Sequence, residues 1–202
     1  KAENESYNGT SWTEVADLNT ARLQLAGAGA DATSAIAFAG YDIPSAVAIA
    51  EVWNGSGWTE VADLNTARRL PFGVGIATAA LCFGGHPPFK NETEVWNGTA
   101  WTEVNNLNTA RRALSGAGTS TSALAFGGDT PSSTGATEEF NTGVPVGAWA
   151  TSGSLNSDVV GRAGSTQGTQ ASTIVFGGAP PDTGNTELYN GSNWTEVNNM
   201  NT

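Results

Sequence analysis

SALAFGGDTPSSTGATEEFN, residues 122–141, preceded by WNGTAWTEVNNLNTARR at 96–112, is the stretch that decides the fold. It reads as a small-apolar strand ending in Phe-Gly-Gly, a Pro-bearing loop, a Glu-x-aromatic strand and, upstream, an Asn-Gly turn and a Trp strand. Leu-Asn-Thr-Ala-Arg then leads into the next round. The same phrase returns along the whole chain, so the repeat is measured before anything else. Its Phe column is Phe38, Phe83, Phe126 and Phe176, with steps of 45, 43 and 50 residues. Its Trp column is Trp12, Trp58, Trp101, Trp149 and Trp194, with steps of 46, 43, 48 and 45. An Arg column, Arg22, Arg68, Arg111 and Arg162, opens the first strand of each unit.

Periods in the forties built from strands rather than helices predict the four-stranded antiparallel blades of an all-β propeller. Residues 1–18 begin mid-repeat as an N-terminal half-blade, and the units follow at 19–62, 63–105, 106–153 and 154–202, all in one domain. That gives four first-pair hairpins and five second-pair hairpins. Five blade positions, one of them incomplete and open to completion by another chain, are slightly favoured over four blades with a displaced terminal hairpin. An unclosed ring would leave strand edges exposed, which invites self-association.

The second strands explain the burial. Ile36, Leu81, Leu124 and Ile174 alternate with Ala37, Cys82, Ala125 and Val175, and the Phe column follows two places after the large set. Period-two geometry puts large residues on one face and small ones on the other. A large face meeting a small face is what neighbouring sheets stacked about an axis require. The first strands (LAGAG, FGVG, LSGAG) are small throughout, as expected where inner strands crowd together. The aromatic-Asn-Gly step is a hairpin turn, since Gly accepts positive φ. Phe140 and Trp149 are nine apart where the other pairs are five apart, so the turn at Thr142–Ala148 carries a four-residue insertion.

Gly84-Gly85, Glu94-Val95-Trp96 and Trp101 resemble the kelch repeat, as do Gly127-Gly128, Glu138-Glu139-Phe140 and Trp149, and Gly177-Gly178, Glu187-Leu188-Tyr189 and Trp194. Unit one departs only at Ala39-Gly40. The resemblance implies a ring of blades used as a binding scaffold. The wording is also similar to repetitive kelch-like segments of phage and bacterial surface or fibre proteins, which favours an extracellular or virion-surface location.

The 202 residues carry a formal net charge of −11 and only two lysines, Lys1 and Lys90, which argues against nucleic acid. One Cys and one His leave little for a transition metal, and no cofactor is expected. No apolar run approaches ~18 residues, so no membrane insertion is expected; no leader-like segment precedes the first unit, which leaves the compartment open.

The Arg column is the sharpest candidate site. Arg22, Arg68, Arg111 and Arg162 could line one mouth and bind an anion such as a sialyl or uronate carboxylate. The competing reading pairs each with a Glu of one of two columns, Glu14/Glu60/Glu103/Glu196 or Glu5/Glu51/Glu94/Glu138/Glu187. The Trp column either stacks on sugars or packs between outer strands. His86 stands alone in a Pro-Pro loop, Cys82 takes a small core slot, and Asp42, Asp129 and Asp182 sit in loops as solvated turn residues or as ligands of Ca²⁺ or sugar hydroxyls. The Asn-x-Ser/Thr triplets at Asn4, Asn8, Asn54, Asn91, Asn97, Asn190 and Asn193 coincide mostly with turns. Catalysis breaks repeat symmetry, and these columns stay nearly uniform. A copper radical oxidase of kelch-like kind needs two His, and Tyr7, Tyr41 and Tyr189 have no neighbourhood suited to a sialidase nucleophile. The expected function is a non-catalytic binding or adhesion scaffold that recognises a glycan or surface receptor. A purely structural or oligomerising unit is the alternative, with a glycan-active enzyme third.

Overall fold

The computed structural model describes residues 2–143, 147–158, 160–165, 168–179 and 182–200. The middle of the Thr142–Ala148 turn, parts of the loops after Arg162 and after Ala179, and the last two residues lie outside the described residues.

All described regular structure is β. An N-terminal ribbon pairs β1 (Asn4–Tyr7) with β2 (Trp12–Val15). Sheet I runs β3 (Ala26–Asp31), β4 (Ser34–Phe38), β7 (Ala50–Trp53) and β8 (Trp58–Val61), with a short ribbon, β5 (Tyr41–Asp42) and β6 (Ser45–Ala46), in its loop. Sheet II is β9 (Phe72–Ile76) to β12 (Trp101–Val104), through β10 (Ala79–Gly85) and β11 (Lys90–Trp96). Sheet III comprises β13 (Ser115–Gly118), β14 (Ser122–Phe126), β15 (Thr137–Asn141) and β16 (Ala148–Ser152). Sheet IV comprises β17 (Ala163–Gly164), β18 (Thr173–Phe176), β19 (Thr186–Tyr189) and β20 (Trp194–Val197). Every pairing is antiparallel and joins strands adjacent in each unit.

The Asn-Gly turns work through the side chain as well as the backbone. Asn54 Oδ1 accepts the N–H groups of Ser56 at 2.9 Å and Gly57 at 3.0 Å, and Asn8, Asn97 and Asn190 do the same in their turns. Gly55 takes φ +91°, which a side chain would strain. Each turn leaves its two aromatics opposite one another: Trp96 faces Trp101 at 5.4 Å and Tyr189 faces Trp194 at 5.0 Å.

The core lies between sheets rather than within them. Ile36 and Phe38 of sheet I meet Ala80, Cys82 and Trp101 of sheet II. Leu81 and Phe83 of sheet II meet Ala123, Ala125 and Trp149 of sheet III. Leu124 and Phe126 of sheet III meet Val175 and Trp194 of sheet IV. In each case the large face of one sheet nests on the small face of the next.

Glycine in the first strand has a more specific reason than inner-strand crowding. A Cβ on Gly73 would stand 2.5 Å from the Phe38 ring, and one on Gly116 would stand 2.8 Å from Phe83. The corresponding distance from Gly164 to Phe126 is 3.1 Å. Each glycine thus opens a seat for the preceding sheet's phenylalanine, which the next tryptophan closes edge-on at 4.9 Å (Phe38–Trp101), 5.1 Å (Phe83–Trp149) and 5.1 Å (Phe126–Trp194). Burying one such ring contributes ~1.5–3 kcal/mol, and its edge-to-face partner adds ~0.5–1.5 kcal/mol.

At the inner ends the sheets are also tied by backbone. Leu70 N–H donates to Gln24 C=O at 2.9 Å, Ala113 N–H to Leu70 C=O at 3.1 Å, and Gly161 N–H to Ala113 C=O at 3.5 Å. The four residues in this chain all have positive φ, from +49° to +65°. Among the described residues no sheet follows sheet IV, and sheet I is flanked by the β1–β2 ribbon. On sheet IV Ile174 is 36% exposed, where the equivalent Leu81 and Leu124 are fully buried.

Candidate functional site

The arginine column lies inside the sheets. Arg22 pairs with Glu51 and Arg68 with Glu94, while Arg111 reaches Glu138 and Arg162 reaches Glu187, each at 3.0 Å. The side chains of all four arginines are at most 1% exposed. Anion capture at a mouth needs an exposed guanidinium, and these positions offer none. The partners come from the Glu51/Glu94/Glu138/Glu187 column, and each carboxylate is further held by an asparagine. Glu94 Oε2 accepts Asn65 N–H at 2.7 Å and Nδ2–H at 2.8 Å, and Glu51 does the same with Asn19. Burial alone would raise the Glu51 carboxyl, but the Arg22 and Asn19 hydrogen bonds outweigh it and hold the group below its ordinary value.

Arg162 reaches its glutamate from a shifted backbone position. Arg69 bridges His86 and Arg112 bridges Asp129, so Arg68 and Arg111 stand one residue before the bridge; in sheet IV Val160 bridges Ala179, so Arg162 stands two residues after it. Equivalence in the sequence column is therefore one of side-chain destination, not of backbone register.

The second arginine of each Arg-Arg doublet turns the other way, onto the face carrying the loops after each second strand. Arg69 is fixed by paired backbone bonds with His86, at 2.8 and 2.9 Å, and its guanidinium lies over the Tyr41 ring of sheet I at 4.5 Å. Arg112 lies over Phe89 of sheet II at 5.1 Å and is closed by Asp129, whose Oδ2 accepts Nε–H at 3.0 Å and Nη2–H at 2.9 Å. His86 packs edge-on to Phe89 at 5.7 Å. The result is a series, Tyr41–Arg69–His86–Phe89–Arg112, linked by ring contacts except at Arg69–His86, where the link is backbone, and running across three sheets of a chain whose overall charge is −11.

Within the series Arg69 is the cation without a carboxylate partner among the described residues. Its polar side-chain contact is the Gln24 amide oxygen at 3.4 Å. It borders a cleft of about 390 Å³ with Tyr41, Pro44, Ser45 and Pro87. Partial burial, then the Arg112 and Arg69 charges, keep the His86 imidazole below its ordinary value, so it is neutral at pH 7. Its Nδ1 is buried without a hydrogen-bond partner. The doublets at 68–69 and 111–112 were visible in the sequence; which member turns outward was not.

The other candidates are placed as follows. Trp58, Trp101, Trp149 and Trp194 are partly or fully buried at the sheet interfaces, whereas Trp12 is 65% exposed. Cys82 is fully buried, and that burial pushes its thiol up to about 12. Asp129 is the Arg112 partner, and Asp42 lies exposed in β5. Asp182 is exposed in its loop. Among the described residues no cluster of three His, Cys, Asp or Glu could hold a metal ion. Burial and donation to Glu139 push the Tyr189 hydroxyl up to about 12, and Ser152 bonds to the same two groups; Tyr189 is held as a phenol rather than as a nucleophilic phenolate.

No described protein family matches the sequence, and no curated protein matches it. Among solved structures, one described as "Structure of YjhT" superposes with a TM-score of 0.79 at 12% identity, covering 96% of this chain and 76% of that one. That likeness is one of fold: an all-β chain with several four-stranded antiparallel sheets.

Proposed function

We propose that the four sheets are blades of a kelch-like β-propeller and that the chain is a non-catalytic binding scaffold for glycans at an extracellular or virion surface. The Gly-Gly and Glu-x-aromatic signature and the nesting of large on small faces support the propeller. The binding reading is carried by one observation: an arginine, Arg69, stacked on Tyr41 in an open cleft and free of any carboxylate partner among the described residues. Such a site takes a saccharide by apolar contact with its C–H face and by charge-assisted bonds to hydroxyls or a carboxylate.

The test is a glycan array followed by calorimetry with the best saccharide, for the native chain and for Arg69→Ala. Removing one charge-assisted contact weakens binding by roughly tenfold or more. A folded protein that binds nothing on the array, or an Arg69→Ala variant that binds unchanged, overturns the site. A structural or self-associating unit is the second reading. It draws on the exposed face of sheet IV and the open inner edge of β1, and light scattering that shows a monomer at high concentration would weigh against it.

A further inference from the structure

Among the described residues three phenylalanine seats are filled, and a fourth is built without a ring in it. Each filled seat consists of a first-strand glycine, the small residue paired with it and a tryptophan. These are Gly73, Cys82 and Trp101 under Phe38, then Gly116, Ala125 and Trp149 under Phe83. Gly164, Val175 and Trp194 receive Phe126. Sheet I carries the same set, Gly27 paired with Ala37 and with Trp58 beside them, and among the described residues no ring lies within 4 Å of a Cβ on Gly27. The three line a cavity of about 470 Å³ that opens along the inner strands. The indole N–H of Trp58 is buried without a partner, as is that of Trp101 in the filled Phe38 seat, while those of Trp149 and Trp194 donate to Thr93 at 3.0 Å and Thr137 at 2.9 Å; the empty seat is therefore marked by its missing ring and not by its indole.

The strand that would bring a phenylalanine there has its own vacancy. In sheets I to IV the strand equivalent to β1 is paired on both sides, with β4, β10, β14 or β18 on its inner edge. Among the described residues β1 pairs with β2 alone. Residues buried in every other copy are exposed here: Glu5 against Glu94, and Tyr7 at 48% against Trp96 at 1%. The β1–β2 ribbon and Trp53 and Trp58 of sheet I line the two sides of a cleft of about 350 Å³, so the ribbon stands at the outer half of the position before sheet I. Each repeat sheet has four strands and this ribbon has two, so two further strands, one hairpin, would complete it.

The geometry points to this edge as a docking site for one further inner hairpin of the same repeat, of the kind found at 106–128. Its second strand pairs with β1, its Phe enters the Gly27–Ala37–Trp58 seat, and its Arg and Asn meet Glu5 as Arg111 and Asn108 meet Glu138. This docking site stands apart from the saccharide reading, since it uses none of the loop-face residues.

The probe is a synthetic peptide of residues 106–128 added to the full chain. Binding is followed by the change in tryptophan emission that is lost in a Trp58→Phe variant, and by amide exchange of Asn4–Tyr7. The peptide should bind and slow exchange in β1 by about tenfold or more. The same peptide with Phe126→Ala should bind about tenfold or more weakly, and Glu5→Gln in the protein should lose a similar factor. Because a free hairpin is marginal in water, residues 110–128 are also appended after Thr202. That extension should raise the urea midpoint, and its Phe126→Ala form should not. The proposal is overturned if neither form engages β1, if binding ignores the phenylalanine and Glu5, or if the chain alone self-associates with β1 already protected. The last result would make a second copy the occupant.

Discussion

Phe83 and Phe176 hold the same place in the repeat, but only one has a following sheet. Phe83 is fully buried, with Trp149 edge-on at 5.1 Å, Phe72 at 6.0 Å and Gly116 beneath its ring tip. Truncation to alanine removes a whole ring from water-excluded surroundings and leaves a cavity whose walls are two backbone-anchored sheets. The transfer loss of ~2–3 kcal/mol, the lost aromatic pair and the cavity together amount to about 3–5 kcal/mol. Phe176 is half-buried and has no aromatic partner among the described residues, so Phe176→Ala should cost about 1–1.5 kcal/mol. Urea unfolding followed by circular dichroism measures both, with slopes compared so that only midpoint shifts are read as stability. In a chain of 202 residues the Phe83 variant should also melt roughly 6–20 °C lower at ~2–4 °C per kcal/mol. Equal costs for the two substitutions would refute the idea that contact between successive sheets, rather than each sheet by itself, supplies the stability.

Glu94→Gln leaves the Arg68 charge buried without its counter-ion and should cost about 3–5 kcal/mol, whereas Arg68→Met combined with Glu94→Met should recover most of that in the same urea assay. The carboxyl of Glu51 is held below its ordinary 4.5, so its share of stability is complete above that value and is lost as pH falls through the lowered folded value. The urea midpoint should therefore be flat from pH 7 to about 5 and fall below about pH 4, less steeply in Glu51→Gln. Cys82, buried and pushed up to about 12, should resist a thiol reagent at pH 8 in the native chain and react at once in denaturant. Fast labelling of the native protein would show that the sheet I–sheet II interface opens locally.

Much of this architecture was written in periodicity. The alternation around Leu81–Cys82–Phe83 fixes which residues share a face, and the Asn-Gly steps fix the hairpins, because both depend on residues a few places apart. What escaped depends on neighbours one unit away. Gly73 looks like a generic small residue until Phe38, thirty-five places earlier, is seen to point at it. Two glutamate columns were equally plausible partners for the arginines. Pairing across β10–β11 turns Glu94 inward beside Cys82, while Glu103 on the edge strand β12 stays exposed. The loop-face series was hidden for a similar reason: Arg68 and Arg69 are adjacent in sequence and point to opposite environments, as period two requires. The shifted Arg162 was not readable, since a guanidinium can reach one carboxylate from more than one backbone position.

A join in which one bulky flank always enters one recessed flank has a direction, like a plug and its socket. Any module therefore fits behind any other, so insertion or loss of a whole module of forty-odd residues preserves every junction, whereas a change of half that length spoils two. Length in such a chain is inherited in steps. Recombination between near-identical modules is the expected route by which relatives come to differ in module number, while the interior of each junction stays the same.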